Sequence, residues 1–160
     1  MPTVKPVPEG YHTITPYLSV SGGEKAIEFY EKAFGAQELM RMPGPNGKGI
    51  GHAELQIGDS RLMLADEFPE MNFRSPSSLG GTPVMMHLYV DDCDAWFARA
   101  VNAGAKVTRP LEDQFYGDRG GCVEDPFGHS WYLSTHKEDL SEEELKARGE
   151  KHQAEMQSKK

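Results

Sequence analysis

Two side chains with acid–base chemistry lie close together in the segment His52-Ala-Glu54. In an extended strand, residues i and i+2 share a face, so the imidazole and the carboxylate lie side by side. Such a pair suits proton transfer or the binding of a divalent metal ion, and a salt bridge between them is the alternative. His87, in a second apolar segment, is a further candidate base, or a structural histidine that makes a hydrogen bond. The catalytic candidates are therefore His52, Glu54 and His87.

These residues lie in two copies of one pattern of secondary structure. Residues 11–67 are predicted to form a strand, a helix and three further strands, and residues 84–136 repeat that order. The glycines that end the two predicted helices, Gly35 and Gly104, are 69 positions apart. The same order at a nearly constant spacing predicts a duplicated strand–helix–strand–strand–strand (βαβββ) unit.

Three segments lie outside the two units. Residues 1–10 are expected to be an N-terminal tail, and residues 68–83, rich in proline, glycine and serine, a connector. Residues 137–160 form a polar C-terminal helix or tail, in which Ser141 and Glu144 make a capping box. We expect a solvated helix there, with an arm that clasps a second subunit as the alternative.

The alternation along the strands predicts which side chains face a cleft. One set of apolar residues is expected to pack under the helices: Ile14, Leu18, Leu62, Leu64, Leu88, Val90, Trp131 and Leu133. The opposite faces then carry aromatic, thioether and polar side chains, a mixture common in small-ligand pockets. The ligand-binding candidates are Tyr17, Gln56, Arg61, Met63, Met85, Tyr89 and Tyr132. Arg61 is the candidate anchor for an anion.

Composition narrows the functional classes. The chain carries 17 Lys and Arg against 25 Asp and Glu, a net charge of −8. This balance argues against nucleic-acid binding and against an anionic membrane surface. The N-terminal residues lack the apolar stretch of a signal peptide, and the two cysteines, Cys93 and Cys122, are far apart. We therefore expect reduced thiols and a cytoplasmic location.

Several segments together resemble one protein family. The segments are Thr15-Pro-Tyr-Leu-Ser-Val20, Glu28-Phe-Tyr-Glu-Lys-Ala-Phe-Gly-Ala36, Leu88-Tyr-Val-Asp-Asp92 and Glu124-Asp-Pro-Phe-Gly-His129. The set resembles the vicinal oxygen chelate superfamily, which includes glyoxalase I, the bleomycin-resistance proteins and the extradiol dioxygenases. Phe115-Tyr-Gly-Asp-Arg119, with Trp131 and His136, is similar to the PhnB-like branch. The resemblance implies an α+β fold: paired βαβββ modules form curled mixed sheets around a cleft, with helices outside and a dimer completing the cleft.

The resemblance also implies four positions for metal ligands, and this chain departs from the family at all of them. The positions correspond to Thr15, Met63, Met85 and Tyr132. A catalytic divalent ion of this kind is held by imidazole nitrogen or carboxylate oxygen, which these residues do not supply. We therefore expect no metal and no cofactor.

These observations leave three hypotheses. The first is a homodimeric small-molecule-binding protein, similar to glyoxalases and bleomycin-resistance proteins, that lacks the usual metal site. The second is a metal-dependent glyoxalase-like lyase or dioxygenase with other ligands, such as His52, Glu54 and His87. The third is a protein-interaction module whose cleft is filled by side chains. The sequence does not identify the ligand.

Overall fold

The computed structural model describes residues 4–160 and contains two four-stranded mixed sheets with helices beside them. The first unit consists of β1 (Tyr17–Val20), α1 (Gly23–Phe34), β2 (Gln37–Pro43), β3 (Ile50–Ile57) and β4 (Ser60–Asp66). The second unit consists of β5 (Met85–Tyr89), α3 (Cys93–Ala103), β6 (Lys106–Asp113), β7 (Asp118–Glu124) and β8 (Ser130–His136), and a four-residue helix, α2 (Pro76–Leu79), lies between the units. A final helix, α4, spans Glu142–Ser158. The predicted α+β class is confirmed.

The two sheets share one topology. The strand order is β1-β4-β3-β2 in the first sheet and β5-β8-β7-β6 in the second. In each sheet the first strand runs parallel to the last strand of its unit, and the other pairs are antiparallel. Tyr17 lies opposite Met63 in the first sheet, and His87 lies opposite Tyr132 in the second. These two pairs occupy equivalent places, as a duplicated unit requires.

The first strand is shorter than its alternating pattern predicts. β1 begins at Tyr17, and the residues from Tyr11 to Pro16 are not part of a strand. Proline has no N–H to donate to a strand ladder, and Pro16 takes part only through its carbonyl, which accepts a bond from Met63 N at 2.9 Å. The expectation that Ile14 packs under a helix is wrong, because this side chain is 86% exposed.

The outer strand of the second sheet is longer than predicted. β6 continues to Asp113 instead of ending at Thr108. Its pairing with β7 is irregular on both sides of Arg109. Such bulges interrupt the period of two on which a strand prediction relies, so the alternating pattern ends before the strand does.

One hydrophobic core holds the two units together. Aromatic side chains of α1 pack directly on the last strand of the second unit, with ring centroids 4.8 Å apart for Phe34 and Trp131 and 5.3 Å apart for Tyr30 and Trp131. The carboxylate of Asp125 is buried beside them and accepts hydrogen bonds from Tyr30 Oη at 2.6 Å and Trp131 Nε1 at 2.8 Å. Its other oxygen accepts bonds from the backbone N–H groups of Phe127 and His129, both at 2.9 Å. This buried network joins the units.

The connector is ordered. Phe68 and Phe73 form a backbone bridge, and the carboxylate of Glu67 accepts bonds from Ser75 N, Ser75 Oγ and Ser78 Oγ. One carboxylate therefore closes a loop of about a dozen residues, which explains how a segment rich in proline and glycine keeps one conformation.

The C-terminal helix lies on the outside of the molecule. Ser141 Oγ caps α4 by accepting a bond from Glu144 N at 3.1 Å, and no residue of α4 is buried. Its ring contact is His152 stacked on Phe115, with centroids 4.8 Å apart. Within residues 4–160, no helix combines the length and the apolar character needed to cross a membrane.

Candidate functional site

The first face is the side of the first sheet that carries Tyr17, His52, Glu54, Gln56, Arg61 and Met63. Tyr17 Oη lies 2.6 Å from His52 Nδ1, and His52 Nε2 lies 3.3 Å from Glu54 Oε1. If Tyr17 donates to Nδ1, a neutral His52 carries its proton on Nε2 and donates it to the carboxylate. The neighbouring Tyr11 hydroxyl, and then His52, hold the pKa of Glu54 below its ordinary value. The structure therefore brings two of the three catalytic candidates together.

The pKa of Tyr17 moves in the opposite direction. Burial raises it above the ordinary value, and the negative charge of Glu54 adds to the effect. Tyr17 is therefore a neutral hydroxyl at physiological pH and donates the proton in its contact with His52.

The predicted anion anchor, Arg61, is already engaged by the N-terminal segment. Its Nη1 donates to the carbonyl of Glu9 at 3.0 Å, and its guanidinium lies 4.8 Å from the ring centroid of Tyr11. The amide of Gln56 is also used locally, since Nε2 donates to Gly58 O at 3.1 Å. These contacts occupy polar groups that the sequence analysis assigns to a ligand.

The second face is the side of the second sheet that carries Met85, His87, Tyr89, Arg109 and Tyr132. The ring of His87 lies between two tyrosines: it is stacked on Tyr89, with centroids 4.6 Å apart, and tilted relative to Tyr132, with centroids 4.8 Å apart. Its Nε2 lies 2.8 Å from Ser134 Oγ, and Ser134 Oγ also lies 3.4 Å from Leu88 O. If the Ser134 hydroxyl donates its hydrogen bond to Leu88 O, its oxygen accepts a hydrogen bond from His87 Nε2. His87 thus makes the structural hydrogen bond that was one of its two interpretations.

Tyr132 lies at the centre of the second face. Its hydroxyl is 3.1 Å from that of Tyr116, and the guanidinium of Arg109 lies 5.7 Å from its ring centroid. Burial raises the pKa of Tyr132 well above the ordinary 10.0, so this phenol stays protonated at physiological pH. Gly120 makes room for the ring, because a Cβ there would lie 2.6 Å from Tyr132 Cε1.

Two residues of this face, Arg109 and Tyr116, are not predicted from the sequence. Arg109 follows an irregularity in β6, so the alternation does not assign it to a face, although its Nη2 contacts Met85 Sδ at 3.7 Å. Tyr116 belongs to a turn before β7, and only the family-like segment Phe115–Arg119 pointed to its neighbourhood. Cys122 completes the group, with its thiol 3.7 Å from Met85 Sδ.

The predicted site residues thus form two groups. Tyr17, His52 and Glu54 interact on the first face, and His87, Tyr89 and Tyr132 interact on the second. Among the described residues, no hydrogen bond or ring contact joins these two groups. Arg61 and His87 do line a common cavity of about 230 Å³ between the units.

The four positions implied for metal ligands do not suit a divalent metal ion. Thr15 Oγ1 donates to His12 O at 3.4 Å, and the Met85 sulfur contacts Arg109 and Cys122. The remaining positions offer the thioether of Met63 and the protonated phenol of Tyr132. Among residues 4–160, no group of three or more histidine, cysteine, aspartate or glutamate side chains is arranged to hold an ion. These residues do not fit the metal that the family resemblance implies.

Comparison with known proteins gives the same fold and extends it to a family. The family model described as the Glyoxalase/Bleomycin resistance protein/Dioxygenase superfamily matches residues 11–133. The chain belongs to this superfamily. One relative of this glyoxalase-superfamily chain is the uncharacterized protein Mb0911c of Mycobacterium bovis, which is 50% identical over 137 residues, 84% of this chain and 90% of the relative.

Two solved structures support the assignment to the glyoxalase superfamily. TioX from Micromonospora sp. ML1 is 25% identical with a TM-score of 0.61, and the match covers 81% of this chain and 100% of TioX. The Arabidopsis thaliana gene product At5g48480 is 28% identical with a TM-score of 0.62, and the match covers 78% of this chain and 98% of the other.

Proposed function

We propose that the protein binds a small organic molecule with an aromatic portion on the second face, without a metal ion. The observation that carries the proposal is an open aromatic and thioether surface. Tyr89 is 66% exposed and stacks on His87, and Met85 is 42% exposed and contacts Arg109. Exposed apolar groups ringed by a few polar ones are typical of ligand sites. Arg109 and the Tyr132 hydroxyl would orient polar substituents of the ligand.

The proposal excludes the metal because of the donors present. A tyrosine binds a divalent ion well only as a phenolate, and the raised pKa of Tyr132 opposes that form. Two thioethers and a threonine hydroxyl are weak ligands for the ions that activate oxygen-containing substrates.

We also propose that a homodimer completes the site. Each face is open in a single chain, with Tyr17 on the first and Tyr89 on the second among the exposed large side chains. In a symmetric dimer, the first face of one subunit would cover the second face of the other. That arrangement would bring His52 and Glu54 of one subunit within reach of a ligand held by the other.

The test combines metal analysis with a binding screen. Purified protein is analysed for nickel, zinc, manganese and iron, and then screened by thermal shift against phenols, aromatic amides and polycyclic aromatics. We expect substoichiometric metal and a compound that raises the melting temperature equally with and without EDTA. Tyr89→Ala should weaken the binding of that compound. Leu145→Ala, which truncates an exposed side chain on α4 away from the site, should leave the binding unchanged. Binding that Tyr89→Ala leaves unchanged would contradict the proposed site.

A metal-dependent lyase or dioxygenase is the second candidate, and the adjacency of His52 and Glu54 favours it. It predicts tightly held stoichiometric metal that is lost in His52→Ala. A screen without any binder, together with a cleft packed by side chains in a crystal structure of the dimer, would instead support the interaction module.

Two finer assignments complete the proposal. We place the chain in the PhnB-like branch of the superfamily because of the Phe115–Arg119 segment with Trp131 and His136. We place the protein in the cytoplasm because Cys93 and Cys122 are both buried and unbridged, as expected in a reducing compartment.

A further inference from the structure

A second cavity lies apart from the cluster of His87, Tyr89 and Tyr132 on the second face, between β1, the connector and the edge of the second unit. It has a volume of about 530 Å³. Its lining includes Ser19, Arg74, Leu79 and Val84. A cavity of this size holds a ligand of ordinary metabolite dimensions.

Ser19 gives this cavity an unused hydrogen-bonding group. The residue is 93% buried, since its exposed fraction is 7%, and its Oγ has no hydrogen-bond partner among the described residues. Buried hydroxyl groups are normally paired, because leaving one unpaired costs about 1–3 kcal/mol. Its backbone carbonyl is in use, accepting a bond from His129 Nε2 at 2.9 Å. The hydroxyl oxygen has almost no exposed surface, so a ligand reaches it only when the neighbouring side chains of the cavity move.

Arg74 gives the cavity a cation. It makes no hydrogen bond or ion pair with another residue of the described part of the chain. The nearby carboxylate of Glu67 is taken up by Ser75 and Ser78. An arginine guanidinium has five N–H donors and binds carboxylates with two parallel bonds. An anion at the cavity would satisfy it.

Part of the lining is apolar and exposed to solvent. Ile14 is 86% exposed, Leu79 61% and Val84 58%, and all three border the same cavity. Apolar side chains grouped around a concave surface mark a place where something apolar binds. A ligand that covers them needs an apolar body as well as an anionic group.

We propose that this cavity binds an amphipathic carboxylate, with the carboxylate held by Arg74 and the Ser19 hydroxyl and the hydrocarbon part covering Ile14, Leu79 and Val84. The overall charge of −8 repels anions, so an anion binds this protein only where a local cation such as Arg74 offsets that charge. The site is separate from the ligand site proposed on the second face, although Tyr17 of the first face also lines this cavity.

The first experiment maps and measures the binding of decanoate to the whole protein. Amide chemical shifts in ¹⁵N-labelled protein should change around Ser19, residues 72–84 and His129, and not around Tyr132. Decanol, which has the same chain without the charge, should bind roughly tenfold more weakly. Arg74→Gln should abolish that preference, and Lys151→Gln, which removes one positive charge from α4, should leave it unchanged.

Ser19→Ala separates a ligand-binding role from a structural one. Removing an unpaired buried hydroxyl should raise the melting temperature of the free protein, and it should also lower the affinity for decanoate several-fold. A purely structural serine would change stability without changing the affinity for decanoate.

Three results would overturn the proposal. In the first, decanoate changes the amide chemical shifts of residues on the second face instead. In the second, Arg74→Gln retains the preference for the carboxylate over the alcohol. Alternatively, sedimentation could show a dimer that Leu79→Asp disrupts, which would mean that a second copy of the chain covers this surface.

Discussion

The buried network around Asp125 leads to the most demanding test of the structure. Tyr30→Phe removes one hydroxyl and nothing else from a fully buried ring. The bond it donates to Asp125 Oδ2 is short, 2.6 Å, and its acceptor is a carboxylate that is 3% exposed. Hydrogen bonds to charged groups contribute about 1.5–3 kcal/mol, so the variant should lose about 2 kcal/mol of unfolding free energy. For a chain of this size, that corresponds to a fall in melting temperature of roughly 4–8 °C.

Asp125→Ala should cost more. The substitution leaves the buried donors of Tyr30 and Trp131 unpaired, and it also removes the acceptor of the Phe127 and His129 N–H groups in the adjoining turn. Removing one partner of a buried charged network costs about 3–5 kcal/mol. In the double variant, Tyr30→Phe should add no further loss and should recover part of it, because it removes a buried hydroxyl that Asp125→Ala has left unpaired.

Urea unfolding monitored by tryptophan fluorescence measures these differences, with an unchanged m-value as the sign that only stability has altered. Tyr89→Phe is the matched control: this tyrosine is exposed, and its change should fall within about 0.5 kcal/mol of zero. The reasoning fails if Tyr30→Phe behaves like that control. It also fails if the effects of the Tyr30 and Asp125 substitutions are additive.

The same tyrosine should contribute to alkaline unfolding. Burial, followed by the charge of Asp125, raises the pKa of Tyr30 well above 10.0, so it stays protonated in the folded protein while the unfolded chain ionises near 10.0. Its contribution to stability is complete below pH 10 and is lost as the pH rises through the folded pKa. Between pH 8 and 10.5, the urea midpoint should fall further in the wild type than in Tyr30→Phe, and equal falls would contradict this.

Two further predictions concern the second unit. Gly120→Ala places a methyl group against the ring of Tyr132 and should lower the free energy of unfolding in urea by about 1–3 kcal/mol. It should also lower the affinity of any ligand bound on the second face, and an unchanged affinity would mean that the ring is not part of the site. Asp139, and then Asp118, raise the pKa of His136, so its imidazole should titrate above 6.5 in NMR spectra, and Asp139→Asn should lower that value. The stability that these pairs supply is complete below pH 6.5 and is lost as the pH rises through the folded pKa; a His136 that titrates at or below 6.5 would refute the contacts.

Much of the fold could be predicted from local patterns. Alternation located the strands, the apolar stripe and glycine located α1, and the spacing of about 69 residues located the second unit. These signals are local or repetitive, so one sequence contains them. Besides the interruptions at Pro16 and around Arg109, the failures are non-local. The contact of Arg61 with Glu9 joins residues 52 positions apart, and no local pattern reports that the N-terminal segment occupies that side chain.

The candidate site was less predictable for the same reason. Alternation assigns side chains to a face of a strand, but it does not say which faces meet. It placed His52 and His87 in one cleft, whereas the contacts of a single chain place them in separate groups. Bulges around Arg109 removed the signal for that residue altogether.

The network that joins the units has no counterpart at the equivalent positions of the repeat. In the first unit, the place of Asp125 at the end of its strand is taken by Ile57, which pairs with Ser60 as Asp125 bonds to His129. The residue 69 positions after Tyr30 is Arg99, so the donor has no counterpart either. A protein made of two first units would have the tyrosine donor without the carboxylate, and one made of two second units would have the carboxylate without the tyrosine. Neither unit can therefore replace the other in the interior of this protein.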